Sequence, residues 1–343
     1  MYRIAICGDI HWSTYSSILR KRSRKYSQRL EKLIKSVNWF EKISKEYKCN
    51  KEIFLGDTMD RPDLNAEELT ALQDIKWNKI EKIFLVGNHE SNINTLEYSS
   101  AKFFESINAN VISEPYAETI NDVNLNYIPY ITTDKIIPLS NYIDTKSNNN
   151  IIFAHQDIAG IQYGNFISKT GFDLTDIKNN CKLFFDGHLH NEQIIDNLIL
   201  VGILTGQNFN EDATKYEHKI YILTIDDNGD ISYEAILNPE ALNFYKIRIE
   251  TQEDLDKLNN LKQNSVVSIT CIDSLSSIVN ANIKSNKNIL ESRVTIFYNY
   301  ENSDEHHDDL FVDDHVQQFM ILARNKLDNS AILEEELSML GGD

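Results

Sequence analysis

An apolar run leads directly into a polar turn at Lys82-Ile83-Phe84-Leu85-Val86-Gly87-Asn88-His89-Glu90. Four consecutive apolar residues that end at a glycine are typical of a buried strand followed by a turn. Other apolar runs end in the same way, and the polar residues that follow them are Gly8-Asp9-Ile10-His11, Gly56-Asp57-Thr58-Met59-Asp60, Ala154-His155 and Gly187-His188-Leu189-His190. The sequence therefore predicts several strands that carry polar side chains at their carboxyl ends.

Short apolar runs continue through the first two thirds of the chain, with segments of helical periodicity between several of them. One helix is predicted by an apolar stripe at Leu30, Leu33, Ile34, Val37, Phe40 and Ile43. The predicted strands are 3–7, 52–55, 82–86, 123–131, 150–154, 182–185, 197–203 and 219–225. Strands that alternate with helices indicate an α/β fold in which the sheet is covered on its faces.

We expect three parts along the chain. The first domain, residues 1–238, ends near Asn238-Pro239. A small β/α domain follows at residues 239–300, with strands at 244–250, 265–272 and 292–300 and helices at 251–262 and 273–285. Thr251 followed three residues later by Asp254 is typical of a helix start.

The third part, residues 301–343, is an acidic helical tail. It contains twelve acidic and two basic residues, so a charge of −10 lies in it. Two apolar stripes predict short helices, one at Val312, Val316, Phe319, Met320, Ala323 and Leu327 and one at Ile332, Leu333, Leu337 and Leu340. Such helices either fold back onto their own domain or bind in the groove of a partner.

Charge and cysteine content limit the class of protein. The 343 residues include 34 basic and 52 acidic ones, and the formal net charge of −18 argues against tight, charge-driven nucleic-acid binding by this chain alone. No apolar run approaches the ~20 residues of a membrane helix, and residues 1–7 lack the layout of a signal peptide. The four cysteines are far apart and form no Cys-x-x-Cys pair, so we expect a reduced, cytoplasmic protein.

Each polar cluster has an ordinary explanation when it is taken alone. Gly-Asp after a strand is a common turn, and a single histidine beside an apolar run is usually a satisfied core residue. Together the clusters are costly to desolvate, and the carboxyl ends of strands in open α/β sheets are where ligands bind. Shared metal coordination is the economical explanation. Seven candidate ligands of the types Asp, His, Asp, Asn, His, His and His follow successive strands.

Seven ligands exceed the four of a structural zinc site and suit two divalent ions that share a carboxylate. Mixed imidazole, carboxylate and amide ligands favour manganese, iron or zinc over magnesium. Two ions ~3.5–4 Å apart would clamp a phosphate for in-line displacement and lower the pKa of a bound water from about 15.7 towards about 7. The sequence therefore predicts chemistry at phosphorus.

These motifs resemble the calcineurin-like metallophosphoesterase superfamily over about residues 3–205. The motifs that carry the resemblance are Asp9-x-His11, Gly56-Asp57, Gly87-Asn88-His89, His155 and Gly187-His188-x-His190. The resemblance implies an α/β sandwich of two mixed sheets flanked by helices. Within the superfamily, the chain looks most like the SbcD-type nuclease subunit of bacteria and T-even-like phages. The features behind this finer resemblance are Asp60-Arg61-Pro62, Tyr127-Ile128-Pro129-Tyr130, the small β/α domain and the helical tail.

The resemblance also implies a role for each site residue. One metal ion would be held by Asp9, His11, Asp57 and His190, and the other by Asp57, Asn88, His155 and His188, with Asp57 bridging the two. His89 would be the catalytic residue that orients the phosphate and protonates the leaving oxygen.

The same resemblance implies a biological setting. It implies two manganese ions, exonuclease action on DNA ends and endonuclease action on single strands or hairpins in DNA repair and recombination. It further implies an SbcC-like coiled-coil ABC ATPase partner bound through the C-terminal helices, and a homodimer. Glu90 stands where these nucleases more often carry aspartate, and Gly-Asn-His-Glu also occurs in Ser/Thr protein phosphatases. Those phosphatases lack a Gly-His-x-His pair, so residues 187–190 argue against that branch.

A basic segment begins nine residues after His11. Between positions 20 and 35 there are eight basic residues and one acidic residue. Beyond Arg29 a solvated helix face explains much of this charge, whereas a block of like charges at positions 20–25 repels itself unless an anion lies near it. We expect contacts with the DNA backbone from Arg20, Lys21, Arg22, Arg24 and Lys25.

Three functions compete on this evidence. The first is a two-metal DNA nuclease subunit, which the tail favours because a plain phosphatase has no need of residues 301–343. The second is a phosphomonoesterase or small-molecule phosphodiesterase with the same metal site. The third is a non-enzymatic scaffold, and the intact set of ligands argues against it.

Overall fold

Two six-stranded mixed sheets pack face to face, and helices cover their outer faces. This computed structural model describes residues 1–14, 18–19, 22, 25–92, 95–132, 135–144, 147, 149–163 and 166–297. The predicted α/β sandwich is confirmed. The predicted tail, residues 301–343, lies outside the described residues.

The strands and helices follow one another closely along the chain. The strands are β1 (Tyr2–Cys7), β2 (Lys51–Phe54), β3 (Glu81–Leu85), β4 (Ser91–Asn92), β5 (Thr95–Ser99), β6 (Asn110–Ile112), β7 (Tyr116–Ile120), β8 (Val123–Ile128), β9 (Asn150–Ala154), β10 (Ile158–Ala159), β11 (Gln162–Tyr163), β12 (Phe166–Ile167), β13 (Phe172–Asp173), β14 (Leu183–Asp186), β15 (Gln193–Ile195), β16 (Leu198–Leu200), β17 (Lys219–Ile225), β18 (Ile231–Leu237), β19 (Asn243–Ile249), β20 (Ser265–Ile272) and β21 (Ile289–Phe297). The α-helices are α1 (Gln28–Glu46), α2 (Ala66–Leu72), α3 (Leu174–Asn180), α4 (Asp256–Asn259) and α5 (Ser276–Ser285). Short 3-10 helices cover Ser100–Ile107, Leu139–Asn141, Glu253–Leu255 and Asp273–Leu275.

The first sheet has the order β18-β17-β1-β2-β3-β6. Its strands β1, β2, β3 and β6 run parallel, and β17 and β18 are antiparallel to their neighbours. Helix α1 lies on its outer face with Leu33 and Phe40 buried against Phe54 and Phe84. The helix starts at Ser27, whose hydroxyl accepts a hydrogen bond from the Leu30 N–H at 3.3 Å.

The second sheet has the order β15-β16-β14-β9-β8-β7. Its central strands β16, β14, β9 and β8 run parallel, and α3 packs on the outer face through Ile177. Between the two sheets, Ile53 and Leu85 of the first meet Leu125, Phe153 and Phe185 of the second. Because these strands are buried on both faces, they appear in the sequence as continuous apolar runs.

A third, smaller sheet contains β19, β20 and β21 in parallel order. Helices α4 and α5 cover one face of it through Leu258 and Val279. The predicted helix at 251–262 is shorter than expected. Thr251 and Asp254 accept hydrogen bonds from each other's backbone N–H groups, a 3-10 turn follows at Glu253–Leu255, and α4 ends at Asn259. The division at residue 239 into two domains stays a prediction.

Two other differences from the sequence prediction have local causes. The strand expected at 123–131 ends at Ile128, directly before Pro129, which cannot donate a ladder hydrogen bond. The strand expected at 197–203 is only Leu198–Leu200, because Gly202 turns the chain at a φ of 78°. All four cysteines are free thiols, as expected. Among the described helices, none is long and apolar enough to cross a membrane.

Candidate metal centre

The structure brings all seven predicted ligands to one edge of the sandwich. They follow the carboxyl ends of five strands: Asp9 and His11 after β1, Asp57 after β2, Asn88 after β3, His155 after β9, and His188 and His190 after β14. Because β1, β2 and β3 are neighbours in one sheet, and β9 and β14 are neighbours in the other, these ends meet where the two sheets face each other. The fold therefore assembles the site from both sheets.

The backbone is unusual at several of these positions. His11, Asp57 and His188 have positive φ angles of 50°, 43° and 64°. Non-glycine residues rarely adopt such angles, and they persist where the surrounding structure over-determines them. Strained backbone at three of the seven ligands is typical of a functional site.

One group of ligand atoms gathers around Asp9. The Oδ2 atom of Asp9 lies 3.8 Å from His11 Nε2 and 3.7 Å from His190 Nε2. The two Nε2 atoms are 2.9 Å apart. Three donor atoms this close, from residues on two different sheets, form one candidate cation site.

A second group gathers around Asn88. Its Oδ1 atom lies 3.1 Å from His155 Nε2 and 3.1 Å from His188 Nδ1. The Oδ2 atom of Asp57 is 3.2 Å from His155 Nε2 and 3.9 Å from His11 Nε2. Asp57 therefore stands between the two groups, where a bridging carboxylate would be needed.

The donor set fits two cations. Asp9 Oδ2 is buried and has no hydrogen-bond partner among the described residues, which is costly for an anionic oxygen without a cation nearby. Burial opposes charge on Asp57, yet the neighbouring His155 and His11 hold its pKa well below its usual range. Burial likewise opposes charge on His155, yet Asp57 raises the pKa of that imidazole to about 10.

Carboxylates hold the far ring nitrogens of three of the histidines. Asp60 Oδ1 lies 3.0 Å from His11 Nδ1, and Asp157 Oδ1 lies 3.2 Å from His188 Nε2. Glu211 Oε1 lies 2.7 Å from His190 Nδ1. Such partners fix the orientation and tautomer of a ligating imidazole. Asp60 lies in the polar cluster that follows β2, but no motif marks Asp157 or Glu211, and the contacts of all three acids with histidines depend on tertiary folding.

His89 lies at the exposed rim of the site. Its backbone N–H donates to Asp57 Oδ1 at 2.9 Å, and its Nδ1 lies 3.2 Å from the carbonyl oxygen of Asp60. Its ring is edge-on to the His11 ring at 4.7 Å. One of its ring nitrogens lies within 4.8 Å of the ligand atoms of His11 and Asp57. This position suits a group that contacts a bound phosphate.

Glu90, the residue that departs from the nuclease pattern, is completely buried. Its carboxylate accepts hydrogen bonds from the N–H groups of Gly87 at 2.7 Å and Met59 at 3.0 Å. Burial and the nearby charge of Asp57 raise its pKa to about 7. Glu90 therefore ties together the turns that present Asp57 and Asn88.

More of the positive charge of the basic segment is neutralised by ion pairs than its sequence suggests. Arg22 pairs with Glu67 at 2.9 Å and Lys25 pairs with Asp74 at 2.7 Å. The other predicted DNA contacts, Arg20, Lys21 and Arg24, lie outside the described residues. Those five DNA contacts stay a prediction.

Arg29, from the same segment, is buried and supports the metal site. Its guanidinium donates to the carbonyl oxygens of His11 at 3.1 Å and Ser13 at 3.2 Å. Arg29 therefore stabilises the loop that contains Asp9 and His11, and its buried charge is not available to bind DNA at the surface. The sequence pattern, which showed only a run of basic residues, gave no sign of this role.

A sandwich with this cluster at its edge defines a metal-dependent phosphoesterase. Residues 2–201 match the family model described as calcineurin-like phosphoesterase, and the chain belongs to this family. Members of the family bind two divalent metal ions. Here one ion would be held by the donor atoms around Asp9 and the other by those around Asn88 and Asp57. When bound, the ions supply charge stabilisation at phosphorus and an acidified water.

Comparison with other proteins adds two distant structural similarities. The curated proteins give no sequence match. One similar solved structure is a novel archaeal phosphodiesterase, 11% identical, with a TM-score of 0.35, covering 68% of this chain and 99% of that chain. Another is the NAD nucleotidase NadN of Haemophilus influenzae, 14% identical, with a TM-score of 0.37, covering 83% of this chain and 60% of that chain.

Proposed function

We propose that this phosphoesterase is a DNA nuclease, the SbcD-type subunit of a repair and recombination complex. The observation that carries the proposal is the face of the third sheet that the described helices α4 and α5 leave uncovered. Lys246, Ser268 and Arg293 stand side by side across β19, β20 and β21, and Arg248 and Thr270 form the next row. The three basic side chains are exposed. Basic and hydroxyl side chains in rows match the chemistry of a phosphate backbone.

This basic face continues into the loop that follows the metal ligands of β1. At its inner end, Phe244 and Val266 pack against Ile18 and Leu19. The Leu19 N–H donates to the Glu291 carboxylate at 2.7 Å. A strand of DNA that lies on this face would therefore lead towards the metal centre. Arg248 pairs with Glu250 at 2.6 Å, which reduces the charge that it offers to DNA, so Lys246 and Arg293 carry the proposal.

We assign the steps of the reaction to the chain's own residues as follows. Asp9, His11, Asp57, Asn88, His155, His188 and His190 would hold two ions, with manganese as the physiological metal. His89 would orient the scissile phosphate and give a proton from a ring nitrogen to the leaving oxygen. The enzyme would act as an exonuclease on DNA ends and as an endonuclease on single strands or hairpins.

The partner in this proposal is an SbcC-like coiled-coil ABC ATPase. The amphipathic stripes predicted in residues 301–343 would bind it, and their charge of −10 would keep DNA away from that contact. With a net charge of −18, the chain alone should bind DNA weakly and with strong dependence on salt. We further propose that the protein forms a homodimer and acts in the cytoplasm.

A second candidate function is hydrolysis of a small phosphate ester at the same metal site. The ion pairs of Arg22 with Glu67 and of Lys25 with Asp74 favour it, because they reduce the charge that is available for DNA. A small ester would need the metal centre and His89 but not the basic face of the third sheet.

The deciding experiment compares linear DNA with para-nitrophenyl phosphate as substrates, each with manganese, with magnesium and with chelator. The variant Lys246→Glu/Arg293→Glu should lower DNA cleavage by about tenfold or more through lost backbone contacts, and leave small-ester hydrolysis unchanged. Lys284→Glu, on the helix α5 side of the same sheet, is the matched control and should change neither. Small-ester turnover without DNA cleavage, with the ATPase partner supplied, would establish the second candidate.

A further inference from the structure

The segment between β16 and β17, residues 201–218, contacts the metal centre although it contains no predicted ligand. We refer to this segment as the turn. At one end, the Leu204 N–H donates to the carbonyl oxygen of Asp9 at 2.8 Å. Further along, Glu211 is buried and contacts His190 through its Oε1 atom. Asn208 donates to the same Glu211 oxygen at 3.2 Å. The turn therefore contacts the Asp9 group, by which we mean Asp9, His11 and His190.

Gln207 links two carboxylates that hold metal-ligand histidines. Its side-chain amide donates to Asp60 Oδ1 at 3.1 Å, and its backbone N–H donates to Glu211 Oε2. Asp60 in turn holds His11 Nδ1, and Glu211 holds His190 Nδ1. A continuous path of hydrogen bonds thus runs from His11 through Asp60, Gln207 and Glu211 to His190.

We propose that Gln207 and Glu211 are positioning residues for the cation bound by Asp9, His11 and His190. Because a carboxylate can only accept, it places the proton of each imidazole on Nδ1 and leaves the Nε2 lone pair for the cation. Gln207 keeps both carboxylates in fixed positions, so the two Nε2 atoms are directed at the same cation position. The proposal rests on the metal centre of the family and is independent of the DNA substrate.

The turn packs against the third sheet, and these contacts fix its position. The Gly206 N–H donates to the carbonyl oxygen of Leu242 at 3.1 Å, and a Cβ at Gly206 would lie 2.6 Å from that oxygen. Phe209 packs edge-on against Phe244 with ring centroids 5.2 Å apart. The Ala213 N–H donates to the Phe244 carbonyl oxygen at 2.8 Å. Strand β19 therefore sets where Gln207 and Glu211 stand.

The test is a titration of the metal-free full chain with Co²⁺, followed by the visible absorption of the bound ion. Two binding steps are expected, and Asp9→Asn identifies the step that belongs to the Asp9 group. Gln207→Leu and Glu211→Gln should each weaken that same step by about tenfold or more, the usual effect of removing such a partner, and leave the other step within about twofold. Asn210→Ala, an exposed residue of the same turn, is the matched control and should leave both steps unchanged.

Two results would overturn the proposal. One is a Gln207→Leu variant in which both steps keep their wild-type affinity. The other is equal weakening of both steps, which would indicate a general structural effect. If Gln207→Leu does not fold, Glu211→Gln decides alone, because it keeps the size and shape of the side chain. Cobalt affinity is measured without substrate, so failure of the nuclease proposal would not affect this test.

Discussion

His11 and His190 bring their Nε2 atoms within 2.9 Å of each other, although 179 positions separate them in the chain. The Nδ1 atom of each ring faces a carboxylate, which cannot donate, so each Nδ1 carries the proton. With both imidazoles neutral, the two Nε2 lone pairs would face each other and repel. Either one proton or one cation must lie between them, and Asp9 Oδ2, 3.7–3.8 Å from both, supplies the negative charge that a cation needs.

The position of Asp57 between the two ligand groups leads to the first prediction. Asp57→Ala should leave the protein with fewer than two metal ions per chain, because both groups lose the carboxylate that lies between them. The measurement is metal content by mass spectrometry after removal of free metal. Asp63→Ala, which removes an exposed carboxylate close by in sequence, should keep two ions. Full occupancy in Asp57→Ala would show that this residue does not bridge.

The second prediction separates His89 from the ligands. His89→Ala should retain both ions and lose about 10²–10⁴-fold in kcat, the range expected when a general acid is removed. The reason is its position at the rim, where its Nδ1 contacts the Asp60 carbonyl and not a ligand group. Metal content and turnover are measured on the same sample. A fall in metal content would mean that His89 is a ligand, which its distance from His11 and Asp57 also permits.

The buried strands and the candidate ligands could be predicted from the sequence because both leave a local signature. Predicted and observed bounds agree for β9, β17 and β20, in which most side chains are apolar and most are buried. Strands β7 and β18 were missed, since they lie at sheet edges and most of their side chains are half-buried or exposed. An apolar pattern does not mark such strands.

The supporting residues of the site were harder to predict for a different reason. Asp157 and Glu211 acquire their roles only when separate loops meet, and nothing in their neighbouring residues distinguishes them from surface acids. Arg29 was placed in a basic segment, yet it donates to the carbonyl oxygens of His11 and Ser13 in the interior. The residues that meet at the candidate site could thus be predicted from the motifs, whereas the residues that hold them in place depend on tertiary contacts.

The third prediction concerns pH and stability, and it rests on Glu41 in helix α1. Burial, and next the charge of Glu52, raise the pKa of Glu41 from 4.5 to about 8. Between these two values the folded chain keeps a proton that the unfolded chain has released, so stability falls as pH rises through this window. Lys82, 3.3 Å from Glu41 and 2.6 Å from Glu52, only partly offsets the second charge.

The neutral variant Glu41→Gln should remove this dependence. Its free energy of unfolding relative to wild type should rise by up to about 1.4 kcal/mol per pH unit between pH 5 and about 8, and then level off. Urea unfolding at several pH values, with chelator present so that metal binding does not contribute, measures it. Glu46→Gln, at an exposed acid of the same helix, is measured alongside as the control for loss of a carboxylate from α1. A Glu41→Gln difference that does not vary with pH would show that Glu41 is ionised throughout.

The fourth prediction tests whether the backbone at the metal centre is as closely packed as the ligands themselves. A Cβ at Gly87 would lie 2.2 Å from Asp57 Oδ1 and 2.4 Å from the Asp57 backbone nitrogen, both far inside contact distance. Gly87→Ala should therefore displace the Asp57 carboxylate and weaken binding of both metal ions, although every ligand is still present. The Co²⁺ titration measures this loss. Gly160→Ala is the control for backbone strain alone. Gly160 has a φ of 89°, so the added Cβ strains the chain there, but that Cβ would contact Leu174 Cδ1 at 3.5 Å and no candidate ligand, and both ions should bind as in wild type. Unchanged affinity in Gly87→Ala would mean that the turn after β3 can move away from Asp57 at little cost, and that the position of the carboxylate is set by its hydrogen bond to the His89 N–H instead.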